Sequence, residues 1–565
     1  MKKKTFVMWA AMFVCAGLFA QPASLDEVYE PVVVGVPPSD AYIGLSLLPD
    51  GELRHYNYGE HAAQTAPMYL SSRDHGLTWK TVSLPKELPY ADQRSPVSGE
   101  YVRVFCNSKG VYAMRTEGGL DGGRTIVKID DRPGIMNKPP VWIRNGKRVI
   151  SGAHRTDRSG AHRTDRSGAY VYYSDDDGRT WKASAQVTVP PHRKGGFHQG
   201  VRWNHGAVEP TVVELNDGRL WMLMRTSQDR HYQAFSEDGG ETWSEATPSP
   251  FYGTITMPTL YRMGDGRMLF FWCNTTPLPE RAGTDGVWED VFTNRDALHV
   301  AISSDDGRTW KGFRELLLNP ERNSPVFGNT RGGEDKSVHQ VQAVEVAPGK
   351  ILVSAGQHRS CRRLLLFDVR WLYEPRRSCD FSNGLSDWSA FRYYQGIVGH
   401  CAYHRQAENL LGTHPDDSTR KVLQLGYTPN DSLVQDNDGA VWNFPAAKDG
   451  SLLLHLRIPQ NESAVTLVLN DRWFNPTDTV ARHEAMYRLP LSRKVLGIKD
   501  LKWHRLQIFW HQNKTARVFV DGKQKAELPV VCPTEHGVSY LHLLGEHRSG
   551  EKIQIDYVEG GQILR

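Results

Sequence analysis

The 565-residue chain has seven cysteines and no C-x-x-C pair, which excludes both a disulfide-built scaffold and a cysteine-rich zinc site. Six of them (Cys106, Cys273, Cys361, Cys379, Cys401 and Cys532) are too scattered for a framework and read as buried thiols, with one or two disulfides as the alternative. Charge of one sign is also lacking. Lys plus Arg is 68 against 64 for Asp plus Glu, so nothing global draws the chain to nucleic acid or to an anionic membrane. No apolar run reaches the length of a membrane span. The longest, residues 6–20, follows Lys2-Lys3-Lys4 and leads into Gln-Pro-Ala-Ser, the pattern of a secretory signal peptide over residues 1–20. Phe13 and Val14 precede Cys15 where a lipid anchor requires small residues. The expectation is an exported protein, periplasmic or secreted, with no membrane insertion after removal of the leader.

What the chain has in quantity is Trp (16) and Gly (51), a pairing that suits β-structure rich in tight turns and equally suits sugar stacking. The strongest signal is repetition. Ser-x-Asp-x-Gly-x-Thr-Trp occurs four times, beginning at Ser72, Ser174, Ser236 and Ser303. Its Ser and Asp side chains can hold turn amides, its Gly supplies positive φ, and its Trp folds back over the turn. A calcium loop at Asp175-Asp176-Asp177-Gly178 would need a bidentate Glu at its twelfth position and flanking helices, and both are missing, so these aspartates read as structural. No metal site is expected.

Strand–turn–strand units recur at 46–56, 102–114, 141–151, 211–224, 259–272 and 343–355, each alternating about a two-residue turn. Six units over residues 24–375 give about 59 residues each, the size of a four-stranded propeller blade with its loops. Four such boxes on six such units resemble the sialidase (neuraminidase) superfamily. The resemblance implies a six-bladed β-propeller over 24–375, with the boxes on the rim, remote from the active site. Beyond FDVRWLYEP (367–375) the boxes stop. Segments 451–458, 464–471 and 503–528 alternate as strands of a jelly-roll or lectin-like β-sandwich over 376–565, in which Trp473, Phe474 and Trp510 are either stacking residues or core. The fold class is therefore all-β, a propeller followed by a sandwich. The octapeptide SGAHRTDR stands twice in tandem, at 151–158 and 159–166, as a slippage duplication would leave it.

Propeller ligands gather where innermost strands begin and second strands end. Those positions hold Glu209 and His339 at strand starts, and Glu60, His61, Arg115, His154, Arg155, Arg225, Asn274 and His358 past second strands. VEPTVVELNDGRLWMLMR closely resembles the superfamily's fourth-blade motif, which implies Glu209 as the activating carboxylate and Arg225 as one of three substrate-binding arginines. The chain departs from the superfamily elsewhere. Tyr42-Ile43-Gly44-Leu45 replaces the first-blade arginine motif, and Ser337-Val338-His339-Gln340 replaces the strand that opens with the nucleophilic tyrosine. AAQTAPMYLSS, before the first box, offers no acid/base aspartate.

The leading expectation is an exo-acting glycoside hydrolase releasing a terminal, acidic sugar from a complex glycan. Glu209 and His339 would form its acid/base pair, with Arg225 and Arg115 on the anionic group. Glu60 and His61 are the nearest further titratable groups; His154, Arg155, Asn274 and His358 are further substrate contacts. No cofactor is expected. Imidazole in place of the tyrosine keeps open a lyase or rhamnosidase-type propeller acting on uronate-containing glycans, and the missing residues keep open a non-catalytic carbohydrate-binding protein. Glu209, Arg225 and His339 are expected on one propeller face, within about 10 Å of a common point, given the antiparallel course of each blade.

Overall fold

The computed structural model describes residues 22–563 apart from 39–43, 59–63, 84–92, 118–122, 135–137, 157–166, 193–205, 277–294, 325–335, 358–359, 427–436, 546–549 and short stretches between 394 and 409. The leader, Glu60, His61, His358 and the second copy of the octapeptide lie outside the described residues. No described helix is long and apolar enough to cross a membrane. Cys106, Cys273, Cys361, Cys379 and Cys532 are thiols, none in a disulfide.

Six four-stranded antiparallel sheets follow one another as propeller blades. Blade four is representative, with strands Val208–Glu214, Leu220–Arg225, Arg230–Ser236 and Thr247–Tyr252 from inside outward. Blade six is composite. Its three inner strands, Gln342–Ala347, Lys350–Ala355 and Arg363–Asp368, take their fourth from the opposite end of the propeller, Val32–Gly35. Gln342 joins the innermost strand of blade six to that of blade one. Its Oε1 accepts from the amides of Gly44 and Leu45, and its Nε2 donates to the Leu45 carbonyl. Apolar clusters fill the seams between consecutive blades, with Leu352, Leu364, Leu45 and Leu53 between six and one. Between four and five stand Trp221, Phe270, Trp272 and Trp310.

The four boxes share one hydrogen-bond pattern. In the first, Ser72 Oγ donates to Asp74 Oδ1 (2.7 Å) and accepts from the Gly76 amide (2.9 Å), while the Thr78 amide and hydroxyl both donate to Asp74. The glycine φ angles run from +83° to +91° across the four boxes, a range closed to most side chains. Asp176, Asp238 and Asp305 are engaged in the same way. The aspartates are structural, as their spacing predicts.

Five of the six sequence units are first-to-second strand hairpins. The exception is 102–114. Blade two opens with the two-residue strand Gln93–Arg94, so Tyr101–Asn107 and Gly110–Thr116 are its second and third strands. Arg115 therefore lies at the end of the blade that carries the boxes, paired with Glu100 and with Asp177 of the neighbouring box.

The C-terminal region packs an eight-stranded and a six-stranded sheet into a sandwich, with a separate two-stranded sheet of Ile397–Val398 and Cys401–Ala402. Its core includes Trp388, Trp442, Trp510, Leu454 and Ile508. Trp473, Phe474 and Trp510 are at most 1% exposed, which makes them core and not a stacking surface. The sandwich is joined to blade five by packing and by polar contacts. Val441, Trp473 and Tyr540 form an apolar cluster with Ala297. Asn443 accepts from the Glu315 amide and donates to the Phe313 carbonyl. Arg322 donates to the carbonyls of Leu385, Ser386 and Trp388.

Candidate active site

Strand direction decides which residues can meet. Boxes join third strands to fourth, so innermost strands begin, and second strands end, at the opposite end of each blade. Glu209 and Arg225 occupy those two positions in blade four, and the end of Arg148–Thr156 brings His154 to the same place in blade three. An added Cβ on Gly152, in that strand, would meet the Pro210 carbonyl oxygen at 2.9 Å. Only glycine lets the two blades approach this closely beside Glu209.

Glu209 is 6% exposed and adopts a left-handed backbone, φ +47°, at a break in the pairing register between Val208 and Thr211. Such a conformation costs a non-glycine residue about 1–2 kcal/mol, and here it turns the side chain out of the ladder. Its Oε2 accepts from Arg225 Nη1 at 2.9 Å, and its amide donates to His154 Nδ1 at 3.2 Å. Burial alone would raise the carboxyl pKa, but Arg225, His154 and Arg295 outweigh it and hold Glu209 below the usual range, as a carboxylate. Burial drives His154 down to about 4, so it is neutral at physiological pH and accepts through Nδ1.

The same backbone device recurs at the starts of the next two blades. Ile255 (φ +51°) and Gln340 (φ +68°) are also left-handed. The Ile255 carbonyl, turned inward, accepts from Arg295 Nη2. Arg295 is 1% exposed, and its Nη1 lies 3.0 Å from His339 Nε2. Because guanidinium only donates, His339 Nε2 is the acceptor in that contact. Lys138, from the segment before blade three, reaches across to Thr259 Oγ1 of blade five (2.5 Å). Burial lowers its amine to about 7, opposed by the attraction of Glu209.

The structure thus brings together Glu209, Arg225 and His154 by direct contact, and Arg295 with His339 beside them. The sequence missed Arg295, which follows a long segment without repeat character. Its signal is its place just ahead of Ala297–Ser303, the strand feeding the fourth box. Lys138 carries no motif at all.

Other candidates lie elsewhere or have other work. Arg115 is at the wrong end of its blade, because the short first strand of blade two displaces the register. Arg155 is engaged by Asp130 (2.7 Å), Tyr172 and the Tyr170 ring along the seam with blade two. Asn274 belongs to the sandwich seam, where its Nδ2 donates to the Asp471 carbonyl and its own carbonyl accepts from the Trp473 amide. His339 is fully buried against Arg295, an arrangement that positions the guanidinium and leaves the imidazole no exposed edge for proton transfer. Among the described residues no group of three or more His, Cys, Asp or Glu could hold a metal ion.

Residues 127–337 match the BNR repeat-like domain. Among solved structures, a protein of unknown function from Dyadobacter fermentans aligns at 16% identity and TM-score 0.40, covering 60% of this chain and 98% of its own. A Trypanosoma rangeli sialidase in complex with 2,3-difluorosialic acid aligns at 14% identity and TM-score 0.33, covering 94% and 92%. An intramolecular trans-sialidase from Ruminococcus gnavus aligns at 14% identity and TM-score 0.31, covering 60% and 97%.

Proposed function

We propose that this chain, whose residues 127–337 match the BNR repeat-like domain, is an exported glycoside hydrolase that removes a terminal acidic sugar from a glycan. The observation that carries the reading is the charge of the site. Arg225, Arg295 and Lys138 face one carboxylate, Glu209, so an anionic group on the substrate completes the balance. The Nε of Arg225 is buried and makes no hydrogen bond among the described residues.

In this mechanism the two arginines hold the sugar's anionic group. Glu209, held ionised, takes a proton from water as the water oxygen bonds to the anomeric carbon. The glycosidic bond breaks, and the departing oxygen takes a proton from an acid, for which the candidates from sequence are Glu60 and His61. His154 and His339 position Glu209 and Arg295. Incubation of the purified protein with sialylated and uronate-bearing oligosaccharides, read by chromatography of released monosaccharide, tests this. Release from one of them, lost in Glu209→Gln, is expected; release from none refutes it.

A second reading is a lyase that abstracts a proton beside a uronate carboxylate, for which Glu209, held ionised, and not the enclosed His339, is the available base. A product carrying the unsaturated-uronate chromophore would establish that reading and displace hydrolysis.

A further inference from the structure

Outside the propeller blades, the larger sandwich sheet holds an indole in an unusual way. Trp503, just before the strand His504–Trp510, is only partly buried. Its ring lies nearly parallel to two imidazoles, His414 at 4.8 Å and 15° and His455 at 5.2 Å and 28°. Its Nε1 donates to Asp416 Oδ2 at 2.8 Å. Both histidines are anchored on one buried carboxylate. Asp556 accepts from His455 Nδ1 (2.6 Å), from His414 Nε2 (3.2 Å) and from Arg420 Nη2 (2.9 Å). The tautomer of His414 is fixed, because its Nδ1 accepts from the Asp416 amide.

The local sequence explains the assembly. Strand Gly450–Arg457 alternates buried and part-exposed residues, which sets His455 on the outward face. Asp556 is the extra residue of a bulge, standing between the pairs His455↔Tyr557 and Leu456↔Ile555, and that aims its carboxylate at the neighbouring strands. A core tryptophan would be enclosed on all sides, and a casual surface tryptophan would swivel. Here three anchors keep one indole flat over an outward sheet face. Around it stand Asp416, which is exposed, with Arg420, His455 and Asp521, whose side chains are 45%, 40% and 52% exposed.

We propose that this face is a binding platform for a pyranose unit of a glycan, separate from the propeller channel. A pyranose has one face of C–H groups that packs on an aromatic ring and a rim of hydroxyls that both donate and accept. The rim of the platform offers carboxylate acceptors and a guanidinium donor together, which match hydroxyls; a purely anionic or cationic ligand would meet its own charge on half of that rim.

Affinity electrophoresis of the full chain through gels containing laminarin, xylan, galactan, rhamnogalacturonan or mucin tests the proposal. Retardation by at least one polymer is expected, about tenfold weaker in Trp503→Ala and largely kept in Trp503→Tyr. Asp416→Asn, which weakens the anchor of the indole N–H, should reduce it several-fold, and it carries the test if Trp503→Ala does not fold. The loss in Trp503→Ala should be the same in the wild-type and Glu209→Gln backgrounds, so the platform stands or falls apart from the channel. Retardation by none of the polymers, retardation unchanged in Trp503→Ala, or a dimer that Trp503→Ala dissolves would overturn the proposal.

Discussion

Glu315 should make the protein less stable as pH rises. Its carboxyl lies in the seam between blade five and the sandwich, accepting from Tyr540 OH at 2.8 Å, with Tyr540 in turn bonded to His299. Burial there raises its pKa from 4.5 to about 7, more than Tyr540, Arg377 and Arg322 can offset. Because the folded value lies above the unfolded one, the folded state binds more protons between those limits, and stability falls as pH climbs from about 4.5 to about 7. At about 1.4 kcal/mol per unit, the full loss is about 3 kcal/mol. Glu315→Gln keeps an oxygen for Tyr540 and removes the titration. Urea unfolding of both proteins, followed by fluorescence, should give matching stabilities at pH 4.5 and an advantage approaching 3 kcal/mol for the variant at pH 8. A variant less stable than the wild type at pH 8 would refute the reasoning, since it would mean that Glu315 is ionised and paired in the folded seam.

Further outcomes follow from the other sites. Arg225→Met leaves the buried Glu209 without its main counter-charge and should lower stability by about 3–5 kcal/mol, measured by the same unfolding. Asp238→Ala, which frees the Thr242 amide and hydroxyl and the Ser236 hydroxyl, should cost about 1–3 kcal/mol while leaving any glycan release unchanged. Gly152→Val should displace Pro210 and with it Glu209; loss of turnover together with loss of thermal stability is expected, and retention of both would contradict the close approach. For Lys138 the folded pKa lies below the unfolded 10.5, so its charge costs stability at pH values below about 10.5 and most fully below about 7. Lys138→Met should therefore melt higher than the wild type at pH 6, with the difference vanishing near pH 11.

Much of this architecture is written in local chemistry. Each box states its turn in eight residues, and each Asp-Gly or Asn-Gly hairpin states its pairing, so blades one, three, four and five could be read directly. Blade two could not, because its innermost strand is two residues long and has no such turn, and the error carried Arg115 to the wrong end. The fourth strand of blade six was equally invisible: Val32–Gly35 pairs with residues more than 300 positions away, and no local pattern records a partner so remote. In the site, Glu209, Arg225 and His154 were legible because they sit where strands begin and end. Arg295 and Lys138 were not, because what places them is the inward-turned Ile255 carbonyl and the Thr259 hydroxyl across the channel. Trp473, Phe474 and Trp510 show the converse limit. Aromatics in alternating strands look alike whether a second sheet covers them or not, and here it does.

Whether Glu209 and the cations around it act on an anionic sugar is decided by one comparison. Wild type and Glu209→Gln are incubated with the same acidic oligosaccharides, and released monosaccharide is quantified over time. The wild type should release sugar, and the variant at a rate at least about 100-fold lower, the scale on which a positioned general base acts. Release that continues undiminished in Glu209→Gln would contradict that role.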